Sequence, residues 1–466
     1  MHYDVAIIGA GLSGLAAGIR CAHYNKRVVI LEKHTVYGGL NSFYKKGGHH
    51  FDSGLHALTN WLRPGYKGPR LPLQRILRQL RISLDELELR PQNQSRVVFD
   101  DAVLTFDNDF ERLTASVEAA FPHERDGWQA LAERCSGYPE AKGTGAPAES
   151  TRAVVSSLIR DPLLVEMILC PLFFYGSAEE DDLEFEQFRI LYNSIFREGF
   201  CQPRRGIRQI LDILVGRFAE LGGQMRRNTA VESVVVEDGR VKGLEVSRGE
   251  SVTADVVISS AGRFETDLLR SDLSGSVDTK AVGQLAFVEG LWVLDKDPAE
   301  LGFKDSVVFY NQGPKFNWRK PEQTVDFSSG VICVPSNYQH DEPQPFLLRA
   351  THIANHEHWF GFEEPNYRSE KTKVAKTSMQ TLSRYGSDFS DQVVYYDGFT
   401  PRTVKHYTSH LNGAVYGAPA KVKSGRTGID NLFLCGTDQG FVGVVGAMLS
   451  GINMANMHAL AEGSAR

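Results

Sequence analysis

Short apolar runs rich in β-branched residues alternate along this chain with longer stretches whose apolar residues return every three or four positions. Side chains alternate faces in a strand and share a face at the wider spacing in a helix, so the pattern predicts a mixed α/β architecture. Residues 5–8 read as a buried parallel strand, 12–20 as a helix and 27–31 as a second strand. Leu73, Ile76, Leu77 and Leu80 fall on one helix face inside the basic segment 61–81. Residues 97–106 alternate like a β-hairpin, 110–138 and 151–174 are helical, and 139–149 is loop-like and the best candidate for a mobile segment. A long helix within 202–229 leads to strands at 230–236, 241–246 and 252–259, the first two joined by the turn signal Asp238-Gly239. Strands at 282–294, 306–310, 330–334 and 346–351 are spaced for one antiparallel sheet, and 367–384 follows as an amphipathic helix. A strand at 431–435 and a helix at 444–460 close the pattern.

A chain of 466 residues can bury a large core and divide into two or more domains. The net charge of −6 argues against nucleic acid as a partner, because phosphate binding needs a basic face. Cys21, Cys135, Cys170, Cys201, Cys333 and Cys435 form no C-x-x-C pair and no metal-ligand spacing. With no cleavable signal in view, they read as reduced, buried thiols of a cytoplasmic protein. No run approaches the roughly 18 uninterrupted apolar residues of a membrane span. The basic segment 61–81 has two readings, a surface helix with solvated charges or a contact with an anionic membrane surface. The aromatics Phe173, Phe174, Tyr175, Phe185, Phe188, Tyr192, Phe196 and Phe200 either pack a core or line a tunnel for a hydrophobic chain. His352, His356 and His358 bring no carboxylate or cysteine at ligand spacing, so no metal is expected.

The densest chemistry lies near residue 9. The first strand breaks into Gly9-Ala-Gly11-Leu12-Ser13-Gly14, and a helix starts there. Gly9 permits the tight turn, Gly11 lets a pyrophosphate approach the backbone, and Gly14 lets the helix pack closely on the strand. The helix N-terminus then offers free N–H groups and the positive end of its dipole. Glu32 ends the second strand, 18 residues past Gly14, where a carboxylate can accept hydrogen bonds from a ribose diol. Together these form a dinucleotide site. A second glycine pair follows in Lys33-His-Thr-Val-Tyr-Gly38-Gly39-Leu40-Asn41-Ser42, and then Phe51-Asp52-Ser53-Gly54-Leu55-His56. An NAD dehydrogenase has no need of either.

This stretch resembles the amine-oxidase-like FAD superfamily, in which a Gly-Gly-x-x-x-Ser segment follows the ribose acid. The Phe-Asp-x-Gly-x-His run looks like the phytoene desaturase, carotenoid isomerase and retinol saturase branch. So does Thr400-Pro-Arg-Thr403 with Tyr407-Thr408 and Gly413-Ala-Val-Tyr416-Gly417, a segment that borders the flavin there. One departure is Leu40, where the family usually carries Arg; the backbone role of the glycines is unaffected. The resemblance spans nearly the whole chain and implies FAD as cofactor. It implies a discontinuous Rossmann-like FAD-binding domain at 1–62, 204–266 and 425–466. An α+β substrate domain, with an antiparallel sheet and helices, would occupy 63–203 and 267–424.

Beyond the glycine turn, the implied cofactor contacts are Glu32, Lys33, Gly38 to Ser42 and His56, with Val231 meeting the adenine through its backbone. Ala261 and Gly262 close the returning strand, and Gly436, Asp438, Gly446 and Ala447 line the last signature. There Asp438 would bind ribityl or phosphate groups, and the helix N-terminus would face the flavin N1–C2=O edge. With one dinucleotide fingerprint, electrons would pass between flavin and a quinone, oxygen or a bound carrier. Candidate helpers at the ring are His56, Asp52, Lys405 and Tyr416; Lys405 reads more simply as a surface charge and Tyr416 as packing. The implied activity is desaturation, saturation or isomerisation of C–C double bonds in a hydrophobic polyene or isoprenoid. A C–N-oxidising amine oxidase and a non-catalytic flavin-binding protein are the alternatives.

Overall fold

In the computed structural model, which describes residues 2–63, 65, 66, 68, 70–138, 149–273, 278 and 280–461, the apolar strand Val28–Leu31 is buried along its whole length. It pairs in parallel with His2–Ile8 on one side and Gln224–Arg226 on the other. His2–Ile8 pairs in parallel with Glu250–Ser259, whose end pairs with Leu432–Leu434. Strands covered on both faces need no alternation, which is why these runs are apolar throughout. The hairpin Val231–Glu237 and Arg240–Val246 joins antiparallel to the start of Glu250–Ser259. Its turn residues Asp238 and Gly239 both have positive φ, 51° and 71°, as a tight hairpin turn requires.

Helices Leu12–Ala22, Ile207–Glu220 and Gly443–Met454 cover one face of this sheet, burying Leu15, Ile19, Ile210, Leu214, Met448 and Ile452 with Val5, Ile7 and Ile30. A Cβ on Gly451 would sit 2.0 Å from the Ser13 carbonyl oxygen, so two of these helices touch where only glycine fits. On the other face, Ala6, Ile8, Val29 and Leu31 pack against Val234, Leu244 and Val246 of the hairpin. The amphipathic helix forms at Pro72–Leu80 and buries Leu73, Ile76, Leu77 and Leu80 in the same core as Ile210. A division at residue 62 puts this helix with the substrate domain; its apolar face instead completes the nucleotide half. Arg75, Arg78 and Arg81 remain exposed.

The second sheet has seven strands among the described residues. Its order is Val393–Phe399, Ala286–Leu294, Leu347–Ala354, Ser329–Cys333, Val307–Asn311, Ser95–Phe99 and Ala102–Phe106. The four strands expected between 282 and 351 are contiguous and antiparallel. One pairing is parallel, Val307–Asn311 with Ser95–Phe99, because that hairpin arrives from the earlier chain piece and no tight turn dictates its direction. Alternate residues separate two cores. Val307, Phe309 and Val331 face the aromatic helices Pro162–Gly176 and Phe185–Tyr192, while Val308, Tyr310 and Ile332 face Leu382 and Phe389.

Prolines divide two stretches that read as single helices. Pro122 separates Phe110–Ala120 from Arg125–Arg134, and Asp161-Pro162 separates Thr151–Leu158 from Pro162–Gly176, with Asp161 Oδ1 accepting from the Leu163 amide at 2.9 Å. The loop expected at 139–149 lies outside the described residues except for Glu149. All six cysteines are free and buried. Among the described residues no helix is long and apolar enough to cross a membrane.

Glu198 ties three pieces of chain together. It accepts from Asn60 Nδ2 and from the Tyr138 hydroxyl, each at 2.6 Å, and has no cation in this hydrogen-bonded group. Burial pushes its carboxyl up to about 7 although both hydrogen bonds oppose the rise. The folded chain therefore holds this proton more tightly than the unfolded chain. The contribution to stability is full below the ordinary carboxylate range and is lost as pH rises through about 7. Glu198→Gln should therefore raise the melting temperature relative to wild type more at pH 8 than at pH 5. An equal difference at both pH values would show that Glu198 does not titrate in this window.

Candidate active site

His2–Ile8 runs into Gly9, whose φ of +93° turns the chain and whose amide donates to the Leu31 carbonyl at 2.8 Å. Helix Leu12–Ala22 then begins at Gly11 with no side-chain cap. A Cβ on Gly14 would lie 2.2 Å from the Gly9 carbonyl oxygen, whereas one on Gly11 would meet nothing within 4 Å. The turn is thus closed behind and open in front, where the uncapped N–H groups of Leu12, Ser13 and Gly14 lie. Glu32 is buried, with Oε2 accepting from the Ala10 amide at 2.8 Å and Oε1 from the His34 amide at 2.9 Å. Those bonds leave further lone pairs on each oxygen.

The other glycine segments assemble around this turn. The Gly38 amide donates to the Ala10 carbonyl at 2.9 Å, and Gly11 bridges to Gly38. The hairpin Phe43–Lys46 and His49–Asp52 carries the chain out and back, so that the Ser53 hydroxyl donates to the carbonyls of Ser42 and Leu40. Asn41 lies beside Gly54, at which a Cβ would come within 3.1 Å of Asn41 Oδ1. The Thr229 amide donates to the Glu32 carbonyl at 2.8 Å, which brings the start of the Val231 strand beside the acid. The Ser260 hydroxyl donates to the Ile8 carbonyl at 2.8 Å, setting Ala261 and Gly262 next to Gly9. Gly436 sits over Ser13, and Gly446 and Ala447 stand half-buried in the first turn of Gly443–Met454, a helix whose N-cap also lacks a side-chain bond.

Two of the implied contact residues have side chains engaged within the protein. Lys33 Nζ donates to Ser409 Oγ at 2.5 Å and reaches the His406 carbonyl, so its ammonium faces helix Pro401–Thr408. Asp438 accepts from the amides of Arg263 at 2.6 Å and Ala418 at 2.7 Å, which makes it a tie between three segments. Among the proposed helpers, Lys405 is exposed with its ammonium over the Phe360 ring, 4.9 Å from the centroid. Asp52 accepts from the Ile207 amide at 2.9 Å; burial raises its pKa, against that bond and the charge of Arg349. Tyr416 donates to the Phe174 carbonyl and packs against Phe287 and Trp318.

His56 belongs to a buried polar cluster. Its Nε2 lies 2.9 Å from Thr351 Oγ1 and 3.4 Å from Glu289 Oε2, and its side chain is 24% exposed. Arg349 is 2% exposed; its Nε and Nη2 both donate to Glu289 Oε1, and its Nη1 donates to the Leu55 carbonyl at 2.7 Å. Burial alone would raise the pKa of Glu289, but the Arg349 guanidinium and His56 outweigh it and hold the carboxylate ionised. The sequence does carry the signal: AFVEGLWVL and LLRATHIA each place one Glu or Arg inside a mostly apolar buried strand. Register puts Arg349 opposite Leu291 and Thr351 opposite Glu289, so the two charges meet diagonally.

A family model described as flavin containing amine oxidoreductase matches residues 12–457. The chain belongs to this family. It is 22% identical to prolycopene isomerase of Arabidopsis thaliana over 504 aligned positions, covering 97% of this chain and 82% of that one. It is 23% identical to all-trans-retinol 13,14-reductase of Danio rerio over 535 positions, covering 97% and 85%. An oxidoreductase from Methanosarcina mazei shares the fold, with a TM-score of 0.68 at 18% identity over 98% of this chain and 100% of that one. This flavoenzyme is an FAD-dependent oxidoreductase, and its cradle fits the cofactor. The open helix N-terminus at Gly11 would hold the pyrophosphate, Glu32 the ribose, and the uncapped Gly443–Met454 helix the flavin edge. Bound FAD supplies the two-electron chemistry; the chain supplies binding, orientation and electrostatics.

Two outcomes check this site. Glu32→Ala should weaken FAD binding about 10- to 100-fold, the worth of a hydrogen bond to a charged group; unchanged flavin occupancy after dialysis would exclude Glu32 as the ribose partner. Glu289→Ala strands a buried guanidinium and should destabilise the flavoenzyme by about 3–5 kcal/mol in urea unfolding, with Glu289→Leu plus Arg349→Leu recovering most of the loss.

Proposed function

We propose that this flavoenzyme acts on C–C double bonds of a hydrophobic isoprenoid or polyene, by desaturation, saturation or cis–trans isomerisation. The observation that carries the reading is the aromatic cluster beside the last glycine segment. Val442 packs against Gly176 at the end of the aromatic helix, and Phe174, Phe287, Phe316, Trp318 and Tyr416 form a continuous set of ring contacts there. A long apolar substrate bound beside this cluster would be held by shape and dispersion. The charge closest to His56 is Glu289, and Arg349 already neutralises it with two hydrogen bonds to one oxygen. An ammonium substrate would therefore meet a compensated pair rather than a free anion, which favours C–C over C–N chemistry. The activities for which the prolycopene isomerase and retinol reductase relatives are named are of the same kind.

Electrons would pass to or from a quinone or oxygen that reaches the flavin directly. Approach to a membrane surface would use the exposed Arg75, Arg78 and Arg81, because the apolar face of that helix is already buried in the protein. The test is to supply all-trans and cis polyenes in detergent to oxidised and anaerobically reduced enzyme, following flavin and polyene absorbance together. The expected outcome is a change in polyene spectrum and retention time. Rapid flavin reduction by a small primary amine, with every polyene unchanged, overturns the proposal.

A further inference from the structure

A polar cavity of about 560 Å³ opens at the edge of the nucleotide sheet. It lies past the carboxyl ends of two parallel strands, for Arg226 ends Gln224–Arg226 and Thr35 follows Val28–Leu31. Open α/β sheets bind their ligands at this end of the strands. Arg227, Asn228, Thr229 and Arg248 complete the lining with Met225, and no carboxylate is among these residues. The glycine turn at 9–14 and Glu32 do not line it either. Glu32 turns its oxygens to the amides of Ala10 and His34, while its carbonyl accepts from the Thr229 amide. The cavity therefore borders the adenosine end of the cradle without belonging to it.

Three guanidiniums meet here, and the protein occupies few of their donors. Arg226 Nη2 donates to Glu250 Oε2 at 2.5 Å. Arg227 Nη1 donates to the Thr35 carbonyl at 3.2 Å, which leaves most of its five N–H groups free. Arg248 is exposed and has no ion pair or hydrogen bond among the described residues. Three guanidiniums less the one carboxylate of Glu250 leave two positive charges, in a chain whose net charge is −6. Arg248 also occupies a strained position. Its φ is +75° in the turn 247–249, a region that suits Gly, Asn and Asp and disfavours long side chains. The neighbouring hairpin turn places Asp238 and Gly239 at such angles. An arginine held there points to a use for its side chain.

We propose that this cavity binds a phosphate-bearing small molecule, held by Arg227 and Arg248 with Arg226 and Asn228 beside them. A guanidinium fork meets phosphate oxygens two at a time, which a single ammonium cannot do. A phosphate monoester carries about −1.5 to −2 charges at neutral pH, which matches the two uncompensated positive charges. A lone carboxylate would leave one of them unmatched. The ligand is a second one, distinct from FAD and from the hydrophobic substrate, so the site goes beyond the C–C reading and does not depend on it.

The experiment titrates FAD-loaded enzyme with inorganic pyrophosphate by calorimetry at fixed ionic strength. Wild type should bind the probe saturably. Arg227→Ala and Arg248→Asn should each weaken binding about 10-fold or more, as loss of a charge-assisted hydrogen bond allows. Asn suits the positive φ, so Arg248→Asn should lose the probe with no fall in melting temperature. Arg160→Ala, which removes an exposed arginine from the other half of the molecule, should leave binding intact. No saturable heat from wild type, an equal loss in Arg160→Ala, or an affinity that survives both cavity variants overturns the proposal. Binding by FAD-free protein that disappears on loading FAD also overturns it, because the cavity is then the outer rim of the cofactor site.

Discussion

The pair Arg349–Glu289 is the interaction on which the two halves of the molecule depend. An unpaired guanidinium in this interior would be prohibitive, and this one is tolerable because its donors are spent on Glu289 and on the carbonyls of Leu55 and Ser53. Two of those acceptors belong to the segment that follows the glycine pair, and the third to a strand of the other sheet. One side chain therefore fixes how closely the mixed sheet of the second half approaches the cradle of the first. It also keeps Glu289 ionised, and Glu289 with Thr351 sets the orientation of His56.

What the sequence made legible was local. The glycine turn, the acid at the end of the next strand and the uncapped helix starts are each written in a short stretch of sequence, and their geometry depends on backbone more than on distant neighbours. The β-branched runs and the Asp238-Gly239 turn were readable for the same reason. The directions of Lys33 and Asp438 were not, because they are decided by which tertiary neighbours arrive: Ser409 for one, the amides of Arg263 and Ala418 for the other. Likewise the period of Leu73, Ile76, Leu77 and Leu80 identified a helix face but not the core that receives it. The aromatic residues divide by position. Phe185, Phe188 and Tyr192 are plain packing, whereas Tyr175 keeps accessible surface, a distinction that requires the three-dimensional neighbours.

The nucleotide sheet is assembled out of chain order. Glu250–Ser259 lies between His2–Ile8 and Leu432–Leu434, and Ser13 meets Gly451. During synthesis the outer edge of Val257–Ser259 and the surface awaiting Gly443–Met454 thus stay uncovered until more than 400 residues have been translated, as the numbering of those partners dictates. Contacts this distant in sequence pay a large loop-closure entropy before they reward it, and an open strand edge beside apolar surface is the feature that chaperones protect. The half of the enzyme that holds its cofactor is therefore the last to mature on the ribosome, although its glycine turn stands at residue 9.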